Sequence, residues 1–388
     1  MKILFLVYHG FSEVSGITKK IRAQVKGLKQ CGHDVHLCYY DFAPNGHRCR
    51  FVDGSVLCDY GQSALAGLRQ RTDYRRVADY CRLNGVDMVY ARCFQNANPY
   101  LIGFFKRLRR EGIKAVTEIP TYPYDHEFDT FGLKARLELR IDKLFRRCLY
   151  REMEAVVTFS DADTIFGQRT IRISNGVDFD TIPLHNYRAP ADGTLHLIGV
   201  AEVHLWHGFD RLMAGMGEYY AKGGQRNLVF HVVGGVADGE MYGRGTYPGF
   251  ASIIKHYGLE EHVVFHGQLF GNQLDAVFNQ CCFAVGSLAR HRSGISVIKT
   301  LKNREYASRG IPFVYSENDS DFDSRPYIVK VPADESPIDV QQLVNFIDSY
   351  QADPKEIRNS IAHLAWKEQM GMVVEAVMQV SSYEYAQT

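Results

Sequence analysis

The 388-residue sequence lacks several features that would point directly to a function. It has almost no net charge, because 45 basic side chains balance 44 acidic ones, and this excludes a general attraction to nucleic acid. No apolar run approaches the roughly 18 residues that cross a bilayer. The N-terminal run MKILFLVYHG is too short for a signal peptide and is better explained as a β-strand. We expect a cytoplasmic protein, at most peripheral to the inner face of a membrane.

Motifs for thiol, metal and nicotinamide chemistry are missing as well. The nine cysteines include no Cys-x-x-Cys pair, which is typical of buried thiols in a reducing compartment. No set of His and Cys has metal-ligand spacing, and in the Asp-Ala-Asp at 161–163 the first residue suits a helix cap. No Gly-x-Gly-x-x-Gly follows the first predicted strand, which disfavours a nicotinamide oxidoreductase. We expect neither a metal nor a bound cofactor.

Short apolar runs alternate with helical stretches along the chain. This order is typical of α/β proteins, in which helices cover both faces of a parallel sheet. The predicted strands are 2–8, 34–40, 86–91, 114–119, 155–159, 170–174, 195–201, 228–233, 262–267, 281–286 and 311–316. The polar segment 183–194 is interpreted as a linker, which predicts domains at 1–183 and 184–367. Asp353, Pro354 and Glu356 predict the start of one long helix over about 354–379.

The stretch EIPTYPYDHEF (118–128) follows a predicted strand and is dense in aromatic and acidic residues. Tyr122 and Tyr124 would stack on the face of a sugar. Glu118, Asp125, His126 or Glu127 would bind hydroxyl groups of a substrate or act as a catalytic base. A rigid surface loop without a catalytic role remains the alternative.

The stretch LKNREYASRGIPF (301–313) follows a loop that contains glycine and several cations. Free backbone N–H groups, the start of a helix predicted near residue 296 and nearby cations together suit a phosphate. The carboxylate of Glu305 would accept hydrogen bonds from a ribose diol. The other interpretation is a solvated helix on which Glu305 pairs with neighbouring cations. The candidate nucleotide-binding residues of this region are Arg290, Arg292, Gly294, Lys302, Arg304 and Glu305.

Several stretches, in the same order along the chain, resemble motifs of retaining GT-B glycosyltransferases of family 4. EYASRGIPFV is similar to the second half of that family's Glu-x7-Glu motif, whose second Glu, here Glu305, binds the donor ribose. ISNGVDFD, FHVVGGVADGE with the turn at Gly235, and HLAWKEQM also resemble family motifs. The resemblance implies a GT-B fold with two Rossmann-like domains facing across a cleft. A C-terminal helix, about 368–388, would cross back to the first domain.

The resemblance also implies a reaction, which is the metal-independent transfer of a sugar from a nucleotide-sugar to an acceptor hydroxyl with retention. Gly16 would face the donor diphosphate. The family's diphosphate clamp is altered, because its Arg and Lys fall on Glu202 and His207 and the first Glu of the motif falls on Val297. Positive charge must then come from other side chains, with His207 contributing if it is protonated. The candidates are Lys302, Arg304, Arg290 and Arg292.

Some bacterial polysaccharide transferases resemble this chain in the Trp-His-Gly and Leu-Lys-x-Arg-Glu-Tyr variants of these motifs. This likeness implies a role in the assembly of cell-surface polysaccharide or glycolipid. Two other functions remain open, a nucleotide-sugar epimerase on the same fold and a non-catalytic binder of sugar nucleotides or glycans.

The segment 104–151 is strongly basic, and its second half also carries an apolar stripe at helical spacing. We interpret the stripe as part of the core. Its members are Leu133, Leu137, Ile141, Leu144, Phe145 and Cys148. The cations either are simply solvated or face an anionic membrane surface, which a lipid-linked acceptor would explain.

Overall fold

The computed structural model describes the chain except for residues 12–15, 93–95, 126–131, 352 and 386–388. The chain divides into two compact units. Unit 1 comprises Met1–Gly176 and Leu364–Thr388, and unit 2 comprises Val177–His363. Each unit has its own sheet and its own buried apolar residues. No described helix is both long enough and apolar enough to cross a membrane.

The sheet of unit 1 is mainly parallel. Its strands are β1 (Lys2–Val7), β2 (Asp34–Phe42), β3 (Arg48–Val52), β4 (Ser55–Asp59), β5 (Met88–Arg92), β6 (Lys114–Ile119), β7 (Ala155–Thr158), β8 (Thr164–Ile165) and β9 (Gln168–Arg172). They lie in the order β4-β3-β2-β1-β5-β6-β7-β9-β8, and β3, β4 and β8 are the antiparallel additions at the two edges. The six strands predicted in this half of the chain are confirmed, whereas the β3–β4 hairpin was not predicted.

Helices of unit 1 cover both faces of this sheet. They are α1 (Gly16–Gln30), α2 (Ala66–Thr72), α3 (Arg75–Leu83), α4 (Pro99–Arg110) and α5 (Leu133–Tyr150). Strand β1 shows why two layers are needed, because its side chains alternate between two cores. Ile3 and Phe5 join the core that contains residues of α1, whereas Leu4 and Leu6 join the core that contains residues of α4.

Helix α5 corrects one interpretation of the sequence. Leu137, Ile141 and Leu144 were expected in the core, but these side chains are 58%, 42% and 72% exposed. Cys148, from the same stripe, is also exposed. The buried face of α5 instead carries Leu139, Asp142, Leu149 and Tyr150. Of the predicted stripe, Phe145 does pack against the core, beside Leu139, Leu149 and Tyr150.

The sheet of unit 2 is entirely parallel in the described strands. They are β10 (Leu195–Val200), β11 (Leu228–Val233), β12 (Val263–Gly267), β13 (Phe283–Val285), β14 (Phe313–Tyr315) and β15 (Ile328–Lys330), in the order β12-β11-β10-β13-β14-β15. Its helices are α6 (Phe209–Ala221), α7 (Asp238–Tyr242), α8 (Phe250–Tyr257), α9 (Asn272–Phe278), α10 (Leu301–Arg309), α11 (Val340–Ser349) and α12 (Pro354–Ser360). Five predicted strands are confirmed, and β15 was not predicted. Helix α10 starts at Leu301, later than the predicted residue 296.

The C-terminal helical region is broken, not continuous as predicted over 354–379. Asp353 caps α12 as expected, because its side chain accepts a hydrogen bond from Lys355 N (2.8 Å). Helix α12 ends at Ser360, and α13 (Trp366–Tyr385) belongs to unit 1. There it packs on α1 so closely that a Cβ on Gly27 would lie 2.7 Å from the Trp366 backbone. This approach requires glycine at position 27.

Candidate functional site

The carboxyl ends of β10, β13 and β14 lie at one edge of the unit 2 sheet, the edge at which open α/β sheets bind ligands. Backbone hydrogen bonds fix the loops that leave this edge. Ser316 N donates to Ser287 O (2.9 Å), which joins the loops after β14 and β13. Asn318 N donates to Ser296 O (2.7 Å), which holds the segment before α10 beside the loop after β14.

Buried polar atoms without a hydrogen-bond partner among the described residues gather in these loops and in the first turn of α10. We call these residues the edge cluster. They are Ser287, Thr300, Lys302, Asn303 and Glu317. A buried polar group without a partner costs about 1–3 kcal/mol, so natural proteins keep few of them. Five such residues in consecutive loops of one sheet edge make this edge the candidate ligand-binding site.

Lys302 and Glu317 supply the charge of the edge cluster. The Lys302 Nζ is buried, although part of the side chain is exposed, and it lies 5.8 Å from the centre of the Phe209 ring. Burial, together with the nearby Arg290 guanidinium, lowers the pKa of Lys302. Burial raises the pKa of Glu317, while the charges of Arg290 and Lys302 act against that increase. A basic and an acidic group thus share one buried corner.

Gly286 brings the backbone of the loop after β13 against this corner. A Cβ at this position would lie 3.0 Å from Asn303 Oδ1 and 2.9 Å from Val314 O. Substitution would therefore displace the Asn303 carboxamide of the edge cluster.

His207 lies next to these cations but is not itself a cation. Burial lowers its pKa well below the ordinary range, and the charges of Lys302 and Arg290 lower it further. The backbone N–H of His204 donates to its Nδ1 (2.9 Å), so the neutral ring carries its proton on Nε2. His207 can therefore donate one hydrogen bond to a ligand, but it does not supply the positive charge that the sequence analysis allowed for.

The Trp-His-Gly sequence has a local structural reason. Gly208 has a φ of 65°, and a Cβ there would lie 2.8 Å from Ala289 Cβ. The close approach lets Leu288 N donate to His207 O (2.9 Å). Arg290, in the short turn Arg290–Ser293 that Gly294 ends, has its guanidinium 5.7 Å from the centre of the Trp206 ring. The glycine thus places His207 and Arg290 on the same side of the sheet edge.

Two other predicted donor residues are engaged in ion pairs. Arg292 donates to Asp210 (2.8 Å) and to Glu335 (2.6 Å). Arg304 is 1% exposed and donates to Asp319 (3.0 Å) and to Asp321. Each arginine faces two carboxylates, so neither has an excess positive charge for a diphosphate. The structure brings Arg290, Lys302 and His207 together and leaves these two arginines in structural networks.

Glu305 and Gly235 also have protein neighbours. Arg309 donates from Nε and Nη2 to Oε1 of Glu305 (3.1 and 2.9 Å), which is the cation pairing that the sequence left open. A Cβ on Gly235 would lie 2.5 Å from Oε1 of Glu202, so a carboxylate covers this glycine. The area around Gly235 is therefore better suited to hydroxyl groups than to phosphate.

In unit 1, Glu118 is buried at the end of β6 with two cations. Its Oε1 lies 3.1 Å from Lys20 Nζ and 3.1 Å from Arg92 Nε, and Oε2 accepts from Gln24 and from the Tyr90 hydroxyl. Burial alone would raise the pKa of Glu118, but the two cations and these hydrogen bonds hold it at about 2. Such a carboxylate stays ionised and is a poor general base.

The remaining residues predicted in unit 1 lie in different environments. Tyr124 is 1% exposed and its hydroxyl donates to Asp142 (2.7 Å), so its ring face does not meet solvent. Asp125 accepts from Arg146 (2.7 Å), whereas Tyr122 is half-buried against Phe166. Gly16 opens α1 and is exposed. His126 lies outside the described residues. Within the described ranges, no His, Cys, Asp and Glu cluster could hold a metal ion.

Comparisons with known proteins identify the fold. No family model and no curated protein matches the chain. Among solved structures, the catalytic domain of starch synthase IV from Arabidopsis thaliana, bound to ADP and acarbose, has a TM-score of 0.60 at 11% identity, covering 98% of this chain and 99% of that one. AviGT4, a glycosyltransferase involved in avilamycin A biosynthesis, has a TM-score of 0.54 at 14% identity, covering 97% of each chain.

A third similar structure is that of WaaG, a glycosyltransferase involved in lipopolysaccharide biosynthesis. Its TM-score is 0.53 at 12% identity, and the alignment covers 95% of this chain and 94% of that one. At these identities the likeness concerns the fold alone. The chain has the GT-B fold that its sequence motifs predicted.

Proposed function

We propose that this chain transfers a glycosyl group from a nucleoside-diphosphate sugar to an acceptor hydroxyl. One observation carries the proposal: the Lys302 ammonium is buried, without a hydrogen-bond partner among the described residues, at the ligand-binding edge of a parallel sheet. The GT-B fold supports the same reaction class, because similar structures include glycosyltransferases and an ADP-bound starch synthase.

The diphosphate is proposed to bind at Lys302, Arg290 and His207. The first two supply positive charge, and the Nε2–H of His207 supplies a neutral donor. A bound diphosphate would give the buried Lys302 ammonium an anionic hydrogen-bond partner and so offset the cost of its burial. As the bond between the sugar and the diphosphate breaks, these donors would stabilise the negative charge on the departing group, and such stabilisation is usually the largest electrostatic contribution to catalysis.

Carboxylates and amides at the same edge are proposed to bind the donor's hydroxyl groups. Glu317 and Asn303 have buried oxygens without partners in the described part of the chain, and these oxygens would accept hydrogen bonds from the ribose or the sugar. Glu202, over Gly235, would repel phosphate but accept from a hydroxyl. Glu305 keeps its proposed role at the ribose through Oε2, since Arg309 binds Oε1.

Unit 1 is proposed to bind the acceptor. Glu118 would position Lys20 and Arg92, and Asp125, paired with Arg146, is likewise a weak base. His126 therefore stays the proposed base from the sequence. Retention, independence from metal and a sugar or lipid-linked acceptor at the cytoplasmic face of a membrane rest on the family resemblance, as does a role in polysaccharide or glycolipid assembly.

Thermal-shift measurements with a panel of nucleoside-diphosphate sugars test donor binding. We expect one base and sugar to raise the melting temperature of the wild type, and Lys302→Met to remove most of that increase. Lys255→Met, at an exposed position of α8, is the matched control and should behave as wild type. A wild type that no donor stabilises would contradict the proposal.

Product analysis separates the reaction classes. A transferase releases nucleoside diphosphate in proportion to added acceptor, an epimerase converts the donor without acceptor, and a binder does neither. Only the first result agrees with the proposed reaction.

A further inference from the structure

Two parallel stripes run along the exposed face of α5. The apolar stripe consists of Leu137, Ile141, Leu144 and Cys148, and the cationic stripe consists of Arg136, Arg140, Lys143 and Arg147. Both repeat at steps of four, three and four residues, so each stripe stays on one side of the helix. All eight side chains are exposed. A surface helix normally keeps its apolar side chains on the protein side, and here a second apolar set faces away from it.

Most of the charge of this face has no ion-pair partner among the described residues. Lys143 lies 3.2 Å from Asp125, whereas no described acidic side chain forms an ion pair with Arg136, Arg140 or Arg147. The two acids of α5 do not lie on this face. Glu138 pairs with Arg71, and Asp142 is buried, accepting from the Ala97 backbone N–H.

Adjacent apolar and cationic stripes match the layers of a bilayer surface. An amphipathic helix in the headgroup region places apolar side chains at the acyl boundary, while Lys and Arg beside them extend to anionic headgroups. Helix α4, which packs against α5, also carries two exposed cations, Lys106 and Arg110. Cations alone would suit any acid, but cations beside four solvent-exposed apolar residues favour lipid.

We propose that α5 docks in the headgroup region of an anionic lipid bilayer, with Leu137, Ile141, Leu144 and Cys148 inserted and the neighbouring cations bound to lipid phosphates. Docking of this kind would place unit 1 beside lipid-borne acceptors. It does not depend on the donor site, and its test measures membrane binding, not glycosyl transfer.

Co-sedimentation of the full chain with vesicles tests the proposal. One set of vesicles is phosphatidylcholine alone, and the other contains anionic phosphatidylglycerol as well. We expect binding to the anionic vesicles, weakened by salt, and little binding to the neutral ones. Equal binding to both sets, or binding to neither, would overturn the proposal.

Variants assign the binding to the two stripes. Leu137→Ser with Leu144→Ser should weaken vesicle binding by about tenfold per residue. Arg140→Ser with Arg147→Ser should weaken it by about fivefold per cation and reduce its salt dependence. The control is Val56→Ser, which removes a residue of similar exposure (54%) from β4 at the sheet edge, and it should bind as wild type.

Two results would show that the apolar stripe does not insert into lipid. Wild-type vesicle binding by the leucine variant would exclude insertion. A wild-type dimer in analytical ultracentrifugation that the leucine variant loses, without any change in vesicle binding, would show that a second copy covers the stripe. The changed side chains are largely exposed, so the unfolding temperatures of the variants should match that of the wild type. A loss of vesicle binding would then not be due to unfolding.

Discussion

Replacing Lys302 by Met nearly keeps the length of the side chain and removes its charge. This ammonium is buried without a hydrogen-bond partner in the described part of the chain, and burial lowers its pKa. Burial of such a group costs about 1–3 kcal/mol, which the nearby Glu317 carboxylate offsets in part. We therefore expect the free energy of unfolding to stay the same or to rise by about 1 kcal/mol.

Donor binding should change in the opposite direction. A hydrogen bond from an ammonium to a phosphate contributes about 1.5–3 kcal/mol, so its loss should weaken binding of a nucleoside diphosphate by about 10- to 150-fold. Isothermal titration calorimetry measures this affinity directly. Lys255→Met changes the same residue type at an exposed site and should keep wild-type affinity.

The pH dependence provides a second measurement on the same residue. Only protonated Lys302 attracts a diphosphate. Burial lowers the pKa of Lys302 most, and the charge of Arg290 lowers it further. Wild-type affinity should therefore fall with rising pH well before ordinary lysines titrate, and this fall should be smaller in Lys302→Met, in which only the raised pKa of Glu317 remains in the corner. The reasoning is refuted if Lys302→Met is strongly destabilised and binds nucleoside diphosphate as tightly as wild type.

Three further substitutions test individual assignments. Glu118→Gln should lower the free energy of unfolding at pH 7 by about 3 kcal/mol, measured in urea. Since the folded pKa of Glu118 is held at about 2, the wild type should lose this contribution as pH falls from the ordinary carboxyl range towards 2, and the variant should show a flatter acid profile. Glu305→Ala should weaken nucleotide binding strongly and leave the fold intact. The control is Asp275→Ala, which removes the other carboxylate partner of Arg309 (2.7 Å) and should leave nucleotide binding unchanged. Equal losses of affinity in calorimetry would mean that Glu305 acts only through Arg309. Gly208→Ala should lower the free energy of unfolding in urea by about 2–3 kcal/mol and weaken donor binding, because φ is 65° and the added Cβ would overlap Ala289. An unchanged urea midpoint would contradict the role given to glycine in the Trp-His-Gly sequence.

Strand positions could be predicted because most strands of this chain are continuous apolar runs between helical patterns. The runs at β1 and β10, for example, were placed to within about a residue or two. The β3–β4 hairpin was missed because its sequence, RCRFVDGSVLCD, alternates charged and apolar residues at a sheet edge. The short β15 was missed because its apolar run is interrupted by Lys330 and lies between Pro326 and Pro332. The break between α12 and α13 has no Pro or Gly to mark it.

The residues of the candidate site could likewise be predicted only in part. Lys302 and Arg290 were donor-site candidates in the sequence, and the structure places them close together in the loops at the carboxyl edge of the unit 2 sheet. Arg304 carries the same charge and lies two residues from Lys302, but the acids of the loop DSDFD, beyond β14, bind it. Glu317 was missed because nothing in the sequence distinguishes it from those acids. Only the three-dimensional arrangement shows that its oxygens are buried and have no described partner.

The central claim is tested most directly by a crystal structure of the chain with its nucleoside diphosphate. The account predicts a phosphate oxygen within hydrogen-bond distance of Lys302 Nζ, with Arg290 and His207 Nε2 beside it and a hydroxyl group at Glu317. A nucleotide bound in unit 1, or one in unit 2 that leaves the Lys302 ammonium without contact, would contradict the claim.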